Sequence, residues 1–452
     1  MPDLIKVAKF GGTSMADAKA MRRCAEIIAK DPDKKIIVVS ATSGTTNLLT
    51  QICESQIDIE KEQLLKEIRS KHLAICEDLE NANEVRPELI AMLDDLGYFA
   101  SLANSAEAHI QDEILSFGEK LSSTLFTEIL KEKVGNAKWV DARNVMITDD
   151  IHGNAEPNIE QVARQAKEQW LPLFKNHCLV TQGFIGSTEK RKTTTLGRGG
   201  SDYSAALFAE AIEADVLEIW TDVSAVYTTD PRIVKDARPI TEISFDEAAE
   251  LSVFGAKVLH PATLKPAIRK RIKVYVGSSI NPEQPGTWIV KETKTNPVIR
   301  AISLRRKQTL LNVHSLDMLH RSGFLARLFE VLAKYKISVD LVTTSEVSVS
   351  LTLDTDIQST EKNKLTTEVI DELRNFSEVT IDRNLSLIAL VGNNLHATAG
   401  LSGPVFGALQ DINIRLICHG ASSHNLCFLV REDQAENVVQ ILHEKFITSK
   451  TN

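Results

Sequence analysis

Two glycine-rich segments of the chain have residue types and spacings that suit the binding of a phosphate group. The first, KFGGTS at residues 9–14, follows a predicted strand and opens a helix. Gly11 and Gly12 allow a tight turn and a close approach of the backbone, and the first amides of the following helix point at the same place. Lys9 adds a positive charge there. An ordinary strand-to-helix turn with a solvated lysine explains these six residues equally well.

The second segment, TTTLGRGGSDYS at residues 193–204, opens an alanine-rich helix. Arg198 stands between glycines and can bind a carboxylate or a phosphate through two hydrogen bonds. Asp202 lies near the predicted helix N-terminus, where it should stay ionised and could hold an amine or position a lysine. The alternative is a flexible surface loop with a helix cap. The chain has neither the GxxxxGK(S/T) sequence of a P-loop nor the GxGxxG sequence of dinucleotide-binding domains.

Further candidates follow other predicted strands. Asp222 lies where a strand ends, the edge at which open α/β sheets bind ligands. Tyr227 offers a ring face for a base and Arg232 a charge for phosphates, although Tyr227 could equally belong to the core. Residues 40–47, SATSGTTN, form a hydroxyl-rich turn after a buried strand. Glu119 stands at the predicted start of a helix, and taken alone such a residue is more often a solvated cap than a ligand.

The elements that must position these residues follow an α/β pattern. Short apolar runs alternate with helical patterns in the first part of the chain, which predicts a largely parallel sheet with helices on both faces. The polar segment KETKTNP predicts a domain boundary, with a catalytic domain at 1–295 and a regulatory region at 296–452. The predicted strands are 4–10, 35–41, 178–184, 216–222 and 272–277, and residues 51–111 are predicted to be helical without strands.

An internal repeat follows this boundary. Leu310 corresponds to Leu387, and the same offset of 77 residues relates the other matching positions. Each copy is predicted to contain a strand, a glycine-containing loop, an amphipathic helix and two further strands. Such small units bury little surface alone and should pair side by side or across a dimer. We place the copies at about 309–385 and 386–448, with interleaving as an alternative.

Composition argues against several classes of protein. The 452 residues are 43% hydrophobic and 25% charged, with a net charge of −9, which suits two or three folded domains. An acidic chain without a basic tail argues against binding to nucleic acid. The chain has no apolar run of about 18 residues and no signal-peptide pattern, so we expect no membrane segment. Six scattered cysteines without metal spacing predict a cytoplasmic location.

Taken together, six motifs in this order resemble those of the aspartate kinases, within the amino acid kinase superfamily, over essentially the whole chain. The motifs are KFGGTS, SATSGTTN, SFGE, TTTLGRGGSDY, WTDVSAVYTTDPR and FGAKVLHPA. The resemblance implies an amino acid kinase fold, which is α/β with a largely parallel sheet between helices, followed by two α+β ACT domains. It also implies that the chain uses ATP and Mg²⁺ to phosphorylate the β-carboxylate of L-aspartate, the first step toward lysine, threonine and methionine.

The resemblance also assigns roles to individual residues. Lys9 and Asp202 would be catalytic, with Lys9 beside the transferring phosphate. The residues that would hold aspartate are Ser40, Thr46, Glu119, Phe184, Arg198 and Ser201. The residues that would hold the nucleotide are Gly11, Gly12, Thr13, Thr221, Asp222, Tyr227, Arg232 and Lys257. The direct ligands of Mg²⁺ stay open.

The first copy of the repeat resembles the lysine-binding ACT domains of the lysine-inhibited, single-function class, so L-lysine is the expected inhibitor. The residues implied are Met318, Arg321, Phe324, Leu325, Ser338, Val339, Asp340, Thr344, Ser345 and Glu346. The ammonium of lysine needs an acid in a closed pocket, and Asp340 and Glu346 are the candidates. Arg321 stands where a small residue is expected, so inhibition could be weakened, or the carboxylate of lysine could be held differently. A homo-oligomer, either a dimer or a tetramer, is expected through the ACT domains.

Three alternatives stay open. One is a kinase for another amino acid such as glutamate or acetylglutamate, which the ACT pair and the Gly118–Glu119 segment argue against. Another is a ligand sensor with an inactive kinase domain, which the presence of Lys9, Arg198, Asp202 and Lys257 argues against. The third is an aspartate kinase that responds to threonine or to no inhibitor.

Overall fold

A computed structural model of the chain describes residues 4–104, 107–255, 261–319, 322–354 and 365–449. The chain divides into two units, the first within 1–226, 239–245 and 257–293 and the second within 227–238, 246–256 and 294–452. The boundary predicted at residue 295 lies beside the last of these divisions. Two earlier segments, 227–238 and 246–256, nevertheless belong to the second unit, and Glu247 in the latter pairs with Arg300 at 2.6 Å.

The sheet of the first unit is built on the apolar runs of the sequence. Its strands are Lys6–Phe10 (β1), Lys34–Val39 (β2), Ala137–Trp139 (β3), Cys178–Gln182 (β4), Val216–Thr221 (β7), Glu242–Ser244 (β8), Lys273–Ser278 (β9) and Thr287–Val290 (β10). Ile185–Ser187 (β5) and Thr193–Thr195 (β6) form a separate two-stranded ribbon. The eight-stranded sheet has the order β3-β4-β2-β1-β7-β9-β10-β8 and is parallel except where β10 pairs antiparallel with β9. The five strands predicted from the sequence are confirmed as β1, β2, β4, β7 and β9.

Helices cover both faces of this sheet, as predicted. The helices are Ala18–Ala29 (α1), Thr45–Glu54 (α2), Asp58–Glu77 (α3), Ala82–Ser101 (α4), Ala108–Val134 (α5), Ile159–Gln169 (α6), Gly200–Ala211 (α7), Phe245–Val253 (α8, which beyond its first residue belongs to the second unit) and Pro261–Lys270 (α9). Helices α1 to α5 share one apolar core with Ala8 and Phe10 of β1 and Val39 of β2. Helix α7 packs on β1, β2 and β7 from the other side and contacts α6 and α9.

The described residues of the second unit form one antiparallel sheet. Its elements are Ala301–His314 (β11), Phe324–Lys334 (α10), Val339–Thr344 (β12), Ser348–Asp354 (β13), Thr367–Arg374 (α11), Glu378–Val391 (β14), Ser402–Gly407 (α12), Leu416–His419 (β15), Asn425–Arg431 (β16) and Ala435–His443 (α13). The strand order is β12-β13-β11-β14-β16-β15.

The two copies of the repeat are interleaved through the long strands β11 and β14. The second half of β11 packs through Leu311 and Val313 in one core with α10 and α11. The first half of β11 packs through Ile302 in a separate core with α12 and α13. The first half of β11, which precedes the first copy, thus completes the second one.

Candidate active site

The carboxyl ends of four neighbouring strands lie side by side at one edge of the eight-stranded sheet. Phe10 at the end of β1 pairs with Val39 of β2 and with Trp220 of β7, and Val39 pairs with Gln182 of β4. The chain proceeds from β1 to β2 on one side, whereas β7 lies on the other, so the topological switch point is between β1 and β7. Open α/β sheets bind their ligands at this position.

The side chain of Lys9 reaches from β1 to the first turn of α7. Its Nζ lies 2.6 Å from Oδ1 of Asp202. Helix α7 begins after Gly199, whose φ of 73° is a left-handed conformation that favours glycine. An ammonium group therefore lies beside a helix N-terminus, and both favour the binding of an anion. A Cβ on Gly11 would lie 3.4 Å from the Lys9 ammonium, so the glycine leaves this charge accessible.

Two glycines allow α7 to approach the end of β4. A Cβ on Gly183 would lie 2.6 Å from Cβ of Ser201, and a Cβ on Gly200 would lie 2.8 Å from the Phe184 ring. Phe184 itself has a φ of 67°, and its N–H donates to Oγ of Ser204 at 3.0 Å. This close contact brings together Phe184 and Ser201, to which the family resemblance assigns the binding of aspartate.

Glu119 is buried in the middle of α5, with 3% of its surface exposed. The prediction that it stands at the start of a helix is wrong, because α5 already begins at Ala108. The Ala41 N–H donates to Glu119 Oε1 at 3.1 Å, whereas Oε2 has no hydrogen-bond partner among the described residues. Burial raises the pKa of Glu119 to about 8, against the opposing effects of the Ala41 N–H and of the Lys9 charge.

Gly118 is the reason that Glu119 can reach this position. A Cβ on Gly118 would lie 2.8 Å from Cβ of Ala41, so only glycine lets α5 pass so close to the segment after β2. A Cβ on Gly12 would lie 3.3 Å from the Ala41 carbonyl oxygen on another side. Ala41 is therefore the point at which α5, the β1 turn and the β2 turn meet.

The other residues assigned to aspartate lie on turns at helix starts. Ser40 is half-buried, and its N–H donates to the Phe10 carbonyl at 3.1 Å. Thr46 is exposed in the first turn of α2. Arg198 is exposed between Gly197 and Gly199, which both have positive φ angles.

The residues assigned to the nucleotide are more dispersed along the chain than those assigned to aspartate. Thr221 ends β7, and its hydroxyl donates to Asp222 Oδ1 at 3.1 Å. Tyr227 and Arg232 lie in the second unit, where Arg232 is paired with Asp230 at 2.7 Å. The remaining residues are Thr13, which is exposed after Gly12, and Lys257, which lies outside the described residues.

Three polar or small residues at the site were not singled out from the sequence. Gly183 can be identified from the sequence, because it directly precedes Phe184 at a strand end. Ser279 contacts Ser14 through their hydroxyl groups at 2.6 Å and also donates to the Thr221 carbonyl. Asp112 is buried in α5 and accepts hydrogen bonds from the loop at residues 152–153. No local pattern distinguishes these last residues, since their partners are distant in sequence.

The residues assigned to lysine lie in the first copy of the repeat. Met318, Phe324 and Val339 pack against its core. Asp340 is paired with Arg305 at 3.1 Å. The exposed members in the single chain are Leu325, Ser338, Asp340, Thr344, Ser345 and Glu346, while Arg321 lies outside the described residues. In the second copy, Ile417 and Ser423 take the places of Asp340 and Glu346.

The described part of the chain lacks two kinds of feature. No group of three or more His, Cys, Asp or Glu side chains there is placed to hold a metal ion. No helix there is long and apolar enough to span a membrane.

Comparison with known proteins defines the class to which this fold and site belong. The model of the amino acid kinase family matches residues 5–278, and an ACT-domain model matches residues 311–359 and 388–446. The chain belongs to the amino acid kinase family, with ACT domains after the kinase domain. Within that family it belongs to the aspartokinases. The resemblance and the fold class predicted from the sequence are thereby confirmed.

Individual relatives support this placement. Lysine-sensitive aspartokinase 3 of Escherichia coli is 51% identical over 97% of this chain and 98% of its own length. Aspartokinase 3, chloroplastic, of Arabidopsis thaliana is 35% identical over 98% of this chain and 82% of its own length. Two crystal structures of E. coli aspartokinase III, one with aspartate and ADP and one with lysine and aspartate, match with TM-scores of 0.88 and 0.87 at 50% identity. They cover 97% and 98% of this chain and 99% of their own chains.

Proposed function

We propose that the chain transfers the γ-phosphoryl group of ATP to the β-carboxylate of L-aspartate and is inhibited by L-lysine. The product, 4-phospho-L-aspartate, is the first intermediate toward lysine, threonine and methionine. The observation that carries the proposal is the placement, at one sheet edge, of the Lys9 ammonium and a buried carboxyl, Glu119, whose Oε2 has no hydrogen-bond partner among the described residues. The E. coli relative, which has been crystallised with aspartate, ADP and lysine, supports the same reaction.

The chemistry needs charge stabilisation more than proton transfer. A carboxylate is already a nucleophile at neutral pH, so no general base is required. The obstacle is the approach of two anions while negative charge moves onto the leaving phosphate. Lys9 and the backbone amides at Gly11 and Gly12 are suited to offset that charge. Asp202 holds the Lys9 ammonium in place.

Aspartate needs one cation for its α-carboxylate and one anion for its ammonium. We assign the carboxylate to Arg198 and the ammonium to Glu119, whose Oε2 would gain a partner where the described part of the chain supplies none. The remaining assigned contacts to aspartate are Ser40, Thr46, Phe184 and Ser201.

ATP would enter as its Mg²⁺ complex, because phosphate oxygens are ligands that Mg²⁺ prefers. When bound, the ion would neutralise phosphate charge. The nucleotide residues proposed are Thr13, Thr221, Asp222, Tyr227, Arg232 and Lys257.

Lysine inhibition is assigned to the first ACT copy, where Asp340 or Glu346 can pair with the lysine side chain. The second copy has no acid at either place, which makes it the better candidate for a dimerisation partner. Because Thr344, Ser345 and Glu346 are exposed in a single chain, a second chain would have to close this pocket. We therefore propose a homo-oligomer, with a cytoplasmic location that fits the six free cysteines.

The test is the formation of aspartyl phosphate from ATP, Mg²⁺ and aspartate, with lysine and threonine titrated separately. Activity that lysine alone suppresses supports both halves of the proposal. Activity that does not respond to lysine supports the kinase function alone and points to Arg321 as the cause of the lost inhibition. A substrate panel in which glutamate or acetylglutamate is phosphorylated in place of aspartate contradicts the proposal.

A further inference from the structure

A buried chain of hydrogen bonds ties the turn after β2 to helix α3. Thr45 Oγ1 and Thr42 Oγ1 are 2.5 Å apart, and Thr42 Oγ1 lies 3.2 Å from Nε2 of His72. On its other side, Nδ1 of His72 lies 2.7 Å from the Ile68 carbonyl oxygen. Thr45 and His72 are fully buried, and Thr42 is 1% exposed.

The carbonyl at one end determines the direction of every bond in this chain. A carbonyl only accepts, so Nδ1 of His72 carries the ring proton and Nε2 is the acceptor. Thr42 must then donate to His72, and its oxygen accepts from Thr45. Burial lowers the pKa of His72 to about 4, so the ring stays neutral and this direction persists at neutral pH.

The anchored turn is the one that contacts Glu119. Ala41, which precedes Thr42, donates its N–H to Glu119 Oε1. Thr46, which follows Thr45, is the predicted aspartate contact. Helix α3 holds the same turn at a second point, where the Lys71 ammonium donates to the Ser43 carbonyl. The turn is thus fixed between α5 on one side and α3 on the other.

We propose that His72 is a positioning residue of the aspartate site: through Thr42 it holds the turn at residues 40–46 so that Ala41 and Thr46 keep their places. His72 does not touch substrate in this arrangement, and it acts only through the backbone of the turn. The inference rests on the proposed function, since it concerns aspartate binding by this turn.

The test compares His72→Leu, which fills much of the ring volume but cannot accept a hydrogen bond, with His72→Gln, whose Oε1 can accept from Thr42. We expect His72→Leu to raise the KM for aspartate about 10- to 100-fold, as small displacements of positioning groups do. The KM for ATP should stay within about twofold, because the turn at residues 40–46 is assigned to aspartate and not to the nucleotide. His72→Gln should recover most of the loss. His177→Leu, on a loop before β4, is the matched control and should leave both constants unchanged.

Thr42→Val keeps the shape of the side chain and removes the hydroxyl group that bonds to His72 and Thr45. We expect it to raise the aspartate KM as His72→Leu does, and the double variant should cost no more than either single variant. If His72→Leu does not fold, Thr42→Val alone decides. Lower thermal stability with an unchanged ratio of the two KM values, or additive effects in the double variant, overturns the positioning role. Failure of the wild-type protein to phosphorylate aspartate would instead overturn the proposed function.

Discussion

The Lys9 ammonium and the Asp202 carboxylate form a 2.6 Å ion pair between the central strand β1 and the first turn of α7. The two side chains are only 11% and 17% exposed, so solvent screens the pair less than it would at the surface. The pair fixes the long lysine side chain at the switch point of the sheet. An arriving phosphate would meet a cation that is already oriented, which is the condition for electrostatic catalysis.

Replacement of Lys9 by alanine should lower turnover by at least about 100- to 1,000-fold, the usual effect of losing one such donor. The measurement is the rate of aspartyl phosphate formation at saturating ATP and aspartate. Lys35→Ala, at the opposite end of β2, is the control and should retain activity. Wild-type turnover in Lys9→Ala would exclude this mechanism.

Glu119→Ala should raise the KM for aspartate far more than the KM for ATP, because the carboxyl is assigned to the ammonium of aspartate alone. Steady-state kinetics with each substrate varied in turn give the two constants. Glu128→Gln, on the same helix, should change neither. Equal increases in both constants would contradict the assignment.

The activity should depend on pH through Glu119. Its pKa is raised to about 8, so at neutral pH the free enzyme holds this carboxyl largely protonated and unable to pair with an ammonium. We expect kcat/KM for aspartate to rise with pH and level off above about 8. In Glu119→Gln the profile should lose this rise, and an unaltered profile would show that another group causes it.

The same shift has a consequence for stability. A carboxyl whose pKa is raised by folding stabilises the folded state fully below its ordinary value and loses that contribution as the pH rises. The free wild-type protein should therefore lose stability from pH 4.5 to about 8. Glu119→Gln should lack this part of the loss in denaturant titrations.

Gly183→Ala should reduce activity, because the added Cβ would lie 2.6 Å from Cβ of Ser201 and would displace the start of α7. The displacement should raise the KM for aspartate and lower turnover together. Gly97→Ala is the matched control, since nothing lies within 4 Å of its added Cβ in helix α4. That control should keep full activity and gain up to about 1 kcal/mol of stability from its higher helix propensity.

Asp340→Asn should remove inhibition by lysine and leave turnover unchanged, if Asp340 pairs with the ammonium of lysine. Arg305 already occupies this carboxylate, so Arg305→Gln should lower the lysine concentration for half-inhibition by up to about fivefold, in keeping with a partly exposed ion pair. Ile417→Asn, the equivalent change in the second copy, is the control. If lysine still inhibits Asp340→Asn fully, Glu346 and not Asp340 pairs with the ammonium of lysine.

Much of the framework could be predicted from local patterns. The long apolar runs identified β1, β2, β4, β7 and β9, because strands covered on both faces are almost continuously apolar. The strands β3, β8 and β10 are not predicted from the sequence, because their three or four residues each are too few to form a recognisable apolar run. Local patterns do not reveal whether the copies of the repeat interleave, since this depends on how the long strands β11 and β14 divide between two cores.

Local sequence patterns indicate where chemistry could occur: at glycine-rich turns with lysine, arginine and acidic residues at the ends of apolar strands. Such signals are local, because turns and strand ends depend on neighbouring residues. Which of these groups lie close together depends on how the helices and strands pack. Glu119 became a buried carboxyl because Gly118 lets α5 pass against Ala41, and His72 acquired a partner because α3 lies behind the same turn. Burial and long-range hydrogen bonds arise from the packing of distant segments, and no local pattern of residues encodes them.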